Sequence, residues 1–387
     1  MKRQYIRLGW WYGCAVLYLW FFAVSALHAY RHPFLNWDMI AYMGVAESFS
    51  SGDPQKIYDA TMERARDVYP PGAYENITRK NALSNQADVF YQQLPLYSIK
   101  PLYTGGIWLL DALGMPMPKA TWVLSISGFL GLGTVCYFFV PAAMDAGAWW
   151  IIVWLFCAYG PWPMRAIVHL STPDTLCIAL SAAGYCLWVY SRSFAGFAAC
   201  FLLAQLARPD TLLLSSPLAL FFTFFAHAPY RLTRRQGVGF TASAVILYMA
   251  VHHLAGNYGW KALFYYNFIH KSAHPAVIVP LFGWRQYVNI VYYGIVRIAA
   301  NARLQWLFAA SLAASACHCL LPTKKRVFIG ILWLAWLVFA ARFMLFPAWG
   351  EDRYYYPYYF IMLYALAETI SPYLYKYFAE TKKLFYR

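Results

Sequence analysis

Apolar runs long enough to cross a bilayer recur along this chain and leave few folds open to it. The first extends from Gly9 to Tyr30, and one membrane-spanning helix needs about 20 mostly apolar residues. Of the 387 residues, 61% are hydrophobic and only 12% charged. No soluble domain of usual composition buries that much apolar surface. The expected fold class is therefore an all-α polytopic membrane protein, a single transmembrane domain over residues 1–387. The first run is too long for a cleavable signal peptide and lacks a clear small-x-small cleavage site. The net charge of +15 sits in short loops and tails between the runs. Such placement points to the lipid bilayer surface or phosphorylated lipids as partners, and away from nucleic acid. All eight Cys lie within apolar runs, Cys317-His318-Cys319 included. They read as small buried hydrophobes, neither disulfides nor metal ligands.

Lys2, Arg3 and Arg7 precede the first run, which keeps the N-terminus in the cytoplasm under the positive-inside rule. Residues 31–118 then form a first extracytoplasmic loop. Up to Leu94 it holds half of the acidic residues, and Asp53-Pro54 and Tyr69-Pro70-Pro71-Gly72 break it into short helices or turns. These amphipathic pieces are expected to rest on the membrane. The Lys100 to Gly114 run is short, carries Asp111 and begins and ends with Pro, so it reads as an interfacial or re-entrant helix.

With that run left out, the sequence gives about ten spans. They are Gly9–Tyr30, Lys119–Val140, Ala148–Trp162, Pro173–Tyr190, Phe194–Leu206, Leu212–Ala226, Val238–Leu254, Leu304–Leu321, Val327–Phe346 and Tyr355–Ser371. Both termini lie inside, and residues 256–303 form a second outer loop in which Trp284 to Arg297 looks amphipathic. Of the 16 acidic residues only Asp145, Glu368 and Glu380 are not expected outside. The polar chemistry is concentrated at the outer face.

At that face the most informative stretch is Asn36-Trp37-Asp38-Met39-Ile40-Ala41-Tyr42. A carboxylate among apolar neighbours is partly desolvated and more basic, so Asp38 could take a proton from a sugar hydroxyl or hold a metal. Equally, Asn36 or Asp38 could be a helix N-cap. Further ionisable groups stand at helix ends: Lys119, His169 to Asp174, Arg208-Pro209-Asp210 and Asp352-Arg353-Tyr354-Tyr355. Arg208 and Arg353 are candidates for a lipid phosphate or diphosphate, which a guanidinium engages through two parallel hydrogen bonds. Plainer roles stand beside these. Arg208 with Asp210 fits a turn-stabilising pair, Asp352-Arg353 a solvated loop, and Asp174 an ordinary first-turn residue. His252-His253 and His270 are interfacial or substrate-facing. Asn76-Ile77-Thr78 fits the glycosylation sequon. The abundant Tyr and Trp are mostly an aromatic belt, with a minority available to stack on sugar rings.

These features together resemble the GT-C superfamily of integral-membrane glycosyltransferases, which includes protein O-mannosyltransferases and the lipid A aminoarabinose transferase. Trp37-Asp38-Met39-Ile40-Ala41-Tyr42 resembles that family's Asp-Glu-x-x-Tyr-type motif after a first cytoplasm-to-outside helix. Leu94-Pro95-Leu96-Tyr97 resembles its Pro-Pro-Leu-Tyr stretch, and Lys119 opens the next span where many members have Arg. Thr172-Pro173-Asp174, Arg208-Pro209-Asp210 and Asp352-Arg353-Tyr354 also have counterparts. Met39 departs from the pattern by replacing the second acid, which counts against a tight metal site. The chain also ends soon after its tenth expected helix, without a large extracytoplasmic domain.

The resemblance implies inverting transfer of one sugar from a polyprenyl-phosphate donor to a glycolipid, polysaccharide or surface-protein acceptor. The setting it implies is the outer face of a bacterial inner membrane. Asp38 would be the general base, while Arg353, Arg208 and Lys119 would hold the donor phosphate. Asp174, His169, Asp88 and Tyr42 would contact the sugar or acceptor. No cofactor is firmly implied, a divalent metal being the one candidate. A polysaccharide polymerase or ligase using a diphosphate-linked donor is the alternative, and a lipid or sugar transporter ranks below both. Single cysteines placed between Arg231 and Arg235 should react with a membrane-impermeant maleimide only after the cytoplasmic side is opened; labelling of intact cells would reverse the arrangement.

Overall fold

The computed structural model describes residues 2–80, 86–139, 167–270, 274–275, 283–316 and 325–384. Among these, regular structure is helical and no strand occurs. The helices are α1 (Lys2–Arg31), α2 (Trp37–Ser48), α3 (Pro54–Arg66), α4 (Pro71–Lys80), α5 (Ala87–Gln93), α6 (Pro95–Ser98), α7 (Pro101–Ala112) and α8 (Met117–Phe139). There follow α9 (Asp174–Ser191), α10 (Phe194–Ala207), α11 (Leu212–Phe224), α12 (Arg234–Leu254), α13 (Gly259–Phe268) and α14 (Trp284–Ala299). The last are α15 (Ala302–Ala316), α16 (Arg326–Leu345) and α17 (Tyr356–Leu384).

Among the described residues, three helices are long and apolar enough to cross a membrane: Met117–Phe138 within α8, then α12 and α16. Phe138, Ile246, Met249 and Leu337 on them turn outward with more than 60% of their surface exposed, an apolar face that a bilayer would cover. The stretches expected as spans around α10 and α11 yield helices of 14 and 13 residues, and the expected span Leu304–Leu321 is described only as far as Ala316. At 1.5 Å per residue α10 and α11 each cover about 20 Å, short of a hydrocarbon core of about 30 Å. For the same reason α7, with 12 residues, is too short to span. The expected span Ala148–Trp162, with Asp145, Arg165 and Cys317-His318-Cys319, lies outside the described residues.

Two apolar cores organise the chain. The larger gathers buried aromatics from the long helices, such as Phe129, Tyr185, Phe197, Phe222 and Phe328. The second belongs to the first loop. Met39, Tyr42, Met43, Ile57, Met62, Phe90, Leu94, Tyr103 and Ile107 close on one another and on Met117, Ala120 and Trp122 of α8. The described helices of the first loop therefore share a core of their own and form a small helical layer. Within it α2 is enclosed on every side from Met39 to Ala46, which its unbroken run of apolar and small residues permits. Gly44 lets it approach α5, since a Cβ there would come within 2.6 Å of the Phe90 ring.

The start of α9 is fixed against α8 in a comparable way. Thr175 Oγ1 donates to the Ser125 carbonyl (2.6 Å), and Ser125 Oγ donates to the Thr172 carbonyl (2.9 Å). Gly128 faces the same turn, and a Cβ on it would overlap the backbone of Thr175 and Leu176. Backbone cannot swing aside as a side chain can. Gly128→Ala should therefore destabilise the protein by about 1–3 kcal/mol, the usual cost of overpacking, read as a lowered midpoint of thermal unfolding in detergent.

Candidate active site

Asp38 is free for chemistry because its neighbour does the capping. Asn36 Oδ1 accepts the Met39 N–H (2.9 Å), while its Nδ2 donates to the Leu170 carbonyl (2.8 Å). The Asn36 carbonyl in turn accepts the Tyr69 hydroxyl (2.8 Å). The first turn of α2 is thus completed by Asn36, and the Asp38 carboxylate takes other partners. Oδ1 accepts from the Tyr97 hydroxyl (3.2 Å), and Oδ2 accepts from Arg353 Nη1 and Nη2 (both 3.2 Å). The Asp38 side chain keeps 28% of its surface exposed, against 4% for Asp174.

Behind Asp38 runs a line of alternating charges. Asp174 opens α9, accepts the Thr172 hydroxyl on Oδ2 (2.6 Å) and is paired through Oδ1 with Arg208 Nη1. Arg208 closes α10, and the 3-10 turn at Pro209 brings Asp210 alongside it. The two form a bidentate pair, Nε to Oδ1 at 3.1 Å and Nη2 to Oδ2 at 2.8 Å. Arg342, in the last turn of α16, adds Nε to Asp210 Oδ2 at 2.9 Å. The Tyr354 ring lies 4.7 Å from Arg208, 5.1 Å from Arg353 and 5.7 Å from Arg342, which lets its π face share the positive charge. Burial works to raise the Asp210 carboxyl, but Arg208 and Arg342 outweigh it and hold it well below the usual carboxylate range.

Lys100 completes the cluster. It precedes α7, its ammonium donates to the Tyr42 hydroxyl, and it stands over the rings of Tyr42 (4.7 Å) and Tyr97 (5.5 Å). It forms no ion pair with a carboxylate among the described residues. Although the residue as a whole is only half-buried, burial dominates at its ammonium and pushes it down to about 8, with Asp38 opposing. Tyr42 goes the other way: burial and then Asp38 keep its hydroxyl protonated well past the usual phenol range. Inside the cluster, Asp38, Asp174 and Asp210 face Lys100, Arg208, Arg342 and Arg353, and the exposed Glu351, 2.9 Å from Arg353 Nε, is a fourth acid at the rim. The Lys100 ammonium, in no ion pair among the described residues, is the cation left to attract an anion.

Five of the residues picked out in the sequence meet here: Asp38, Arg353, Arg208, Asp174 and Tyr42. Three do not join them. Lys119 is exposed on the first turn of α8, and Asp88 is exposed on the first turn of α5. His169 braces the turn before α9, its Nδ1 2.7 Å from the His32 carbonyl and its own carbonyl accepting the Phe34 N–H (2.8 Å). Conversely, Lys100, Arg342 and Tyr97 were not picked out as site residues. Arg342 had a signal, a lone charge within the apolar Val327–Phe346 run. Tyr97 and Lys100 sit three residues apart at the repeated Pro-Leu-Tyr pattern, a spacing that puts both on one side of a turn.

Asp38 and Asp174 are also the acids a divalent ion would use, and here they do not fit one. The same nitrogen, Arg353 Nη1, lies 3.2 Å from Asp38 Oδ2 and 3.8 Å from Asp174 Oδ2. The described residues offer no cluster of three His, Cys, Asp or Glu suited to a metal, whereas hard divalent ions take several oxygen ligands. No protein-family model, curated protein or solved structure matches this chain.

Proposed function

We propose that this protein is a polytopic membrane glycosyltransferase that moves one sugar, with inversion, from a polyprenyl-phosphate donor to an acceptor hydroxyl at the outer membrane surface. One observation carries the reading. A carboxylate relieved of capping and still open to solvent, Asp38, adjoins the ammonium of Lys100, which no carboxylate pairs among the described residues. A base beside an anion site is what transfer from a phosphate ester to a hydroxyl requires. In this mechanism Asp38 takes the acceptor proton as the hydroxyl oxygen bonds to C1 of the sugar. The C1–O bond to the phosphate breaks, and its electron pair leaves with the polyprenyl phosphate.

Two donors are available to that phosphate. One is the Lys100 ammonium. The other is Arg353 Nε–H, which lies 2.9 Å from Glu351 Oε2 but off the line of a hydrogen bond, leaving it buried and without an acceptor. Arg208, by contrast, spends Nε, Nη1 and Nη2 on Asp210 and Asp174. We assign it to holding Asp174 in place. With so few free donors, the cluster suits one phosphate better than the diphosphate a polymerase or ligase would use. The acceptor is a glycan, lipid or protein hydroxyl, and an inner-membrane location follows from the resemblance in sequence.

Two measurements test this. Asp38→Asn, inserted and accumulated at the wild-type level, should lower sugar transfer from polyprenyl-phosphate sugars in membranes by about 10²–10⁴-fold, the usual contribution of a general base; unchanged transfer would remove Asp38 from the mechanism. The second concerns pH. Lys100 binds the donor as an ammonium and titrates at about 8 in the free protein. The ammonium form prevails below that pH and is lost above it. The donor KM should therefore rise with pH above about 8, by up to about tenfold per unit, and Lys100→Gln should bind weakly throughout without that rise.

A further inference from the structure

Resting on the same site, we infer that the Arg353 guanidinium does the work of a divalent cation, joining the two acids Asp38 and Asp174 to the donor's anionic oxygen. Three observations lead there. Arg353 Nη1 stands between the two carboxylates, 3.2 Å from one and 3.8 Å from the other, where a bridging ion would have to be. Its second nitrogen, Nη2, also donates to Asp38 Oδ2 (3.2 Å) and to the Tyr354 hydroxyl (3.3 Å), so the guanidinium plane is set from two sides. Its third, Nε, is buried and makes no hydrogen bond, although the exposed Glu351 carboxylate stands 2.9 Å away as an ion-pair partner that a ligand oxygen would displace. One edge of the group is spent on carboxylates and another N–H is kept for a ligand, the division a bridging metal makes among its coordination positions.

Charge explains why the replacement is complete. Arg353 already neutralises Asp38, Arg208 neutralises Asp174 from its other oxygen, and Lys100 stands beside them. A doubly charged ion added beside them would meet repulsion that a planar, singly charged guanidinium does not, and it would find its two carboxylates already hydrogen-bonded. The arginine is also fixed in the chain, so the site needs no ion from outside. Removing its charge should open the place it fills.

The test is Mn2+ binding by purified protein in detergent, read from loss of the free-ion EPR signal and needing no sugar donor. Wild type should show no saturable Mn2+ site that depends on Asp38. Arg353→Gln should gain a single site at least tenfold tighter, lost again when Asp38→Asn is added. Arg353→Lys, which keeps the charge with a shorter contact, should stay closed to Mn2+ and controls for loosened packing. A stoichiometric Mn2+ site in wild type that Asp38→Asn abolishes would overturn the inference, as would an Arg353→Gln protein that gains nothing. If binding behaves as expected yet no preparation transfers sugar, the glycosyltransferase reading fails and the cation substitution stands. Where transfer is measured, wild-type rates should be unchanged by EDTA, and a tenfold or greater loss would also overturn it.

Discussion

The line Asp174–Arg208–Asp210–Arg342 is the interaction on which the rest of this structure depends. Each member is charged and lies among apolar helices, where an unpaired charge costs several kcal/mol. Arg208 and Asp210 pair locally, but Asp174 and Arg342 find their partners only when the ends of α9 and α16 meet that turn. That requirement fixes one end of the bundle. A second pair works at the other end, where the buried Glu368 of α17 takes Lys325 from the start of α16 and the Tyr190 hydroxyl (2.6 Å) near the end of α9. Helices α9 and α16 are thus held at both ends, and Glu368 ties α17 to both of them.

Asp38 stands outside that line and is attached to it by Arg353 alone. Asp174 is closed in by cations and a hydroxyl at 4% exposure, while Asp210 (27%) and Asp38 (28%) each keep an open side. Asp210 is held by two arginines, whereas Asp38 lies on a separately packed layer, so the line supplies position and Asp38 is the open group placed beside it.

Much of this was legible from residue patterning, and the limits have physical causes. The apolar runs foretold helices, and ionisable residues at their ends marked Asp38, Asp174, Arg208 and Arg353. Lys119 looked equivalent to them because it too begins a helix, yet position along a helix does not say which way a side chain turns, and this one turns outward. Lys100 was hidden by the opposite difficulty. It sits in a short polar break where a solvated lysine is ordinary, and only the fold of α2 against α6 and α7 encloses it between two tyrosines. The core of the first loop was likewise not readable, because its contacts join residues far apart in sequence. The length of α11 was overestimated because apolar character continues past Phe224, where the helix ends.

Sharing within the charge line also bears on how such a chain can change over time. Asp210 serves two arginines and Arg208 serves two aspartates, so no single replacement leaves the others matched. Drift at any one position would be penalised until a second change answered it, and the effects of paired changes would not add. Divergent descendants of this sequence should retain the four positions together or exchange them together for apolar residues. Such joint turnover, recorded among relatives, would mark the line as one inherited unit and not four separate sites.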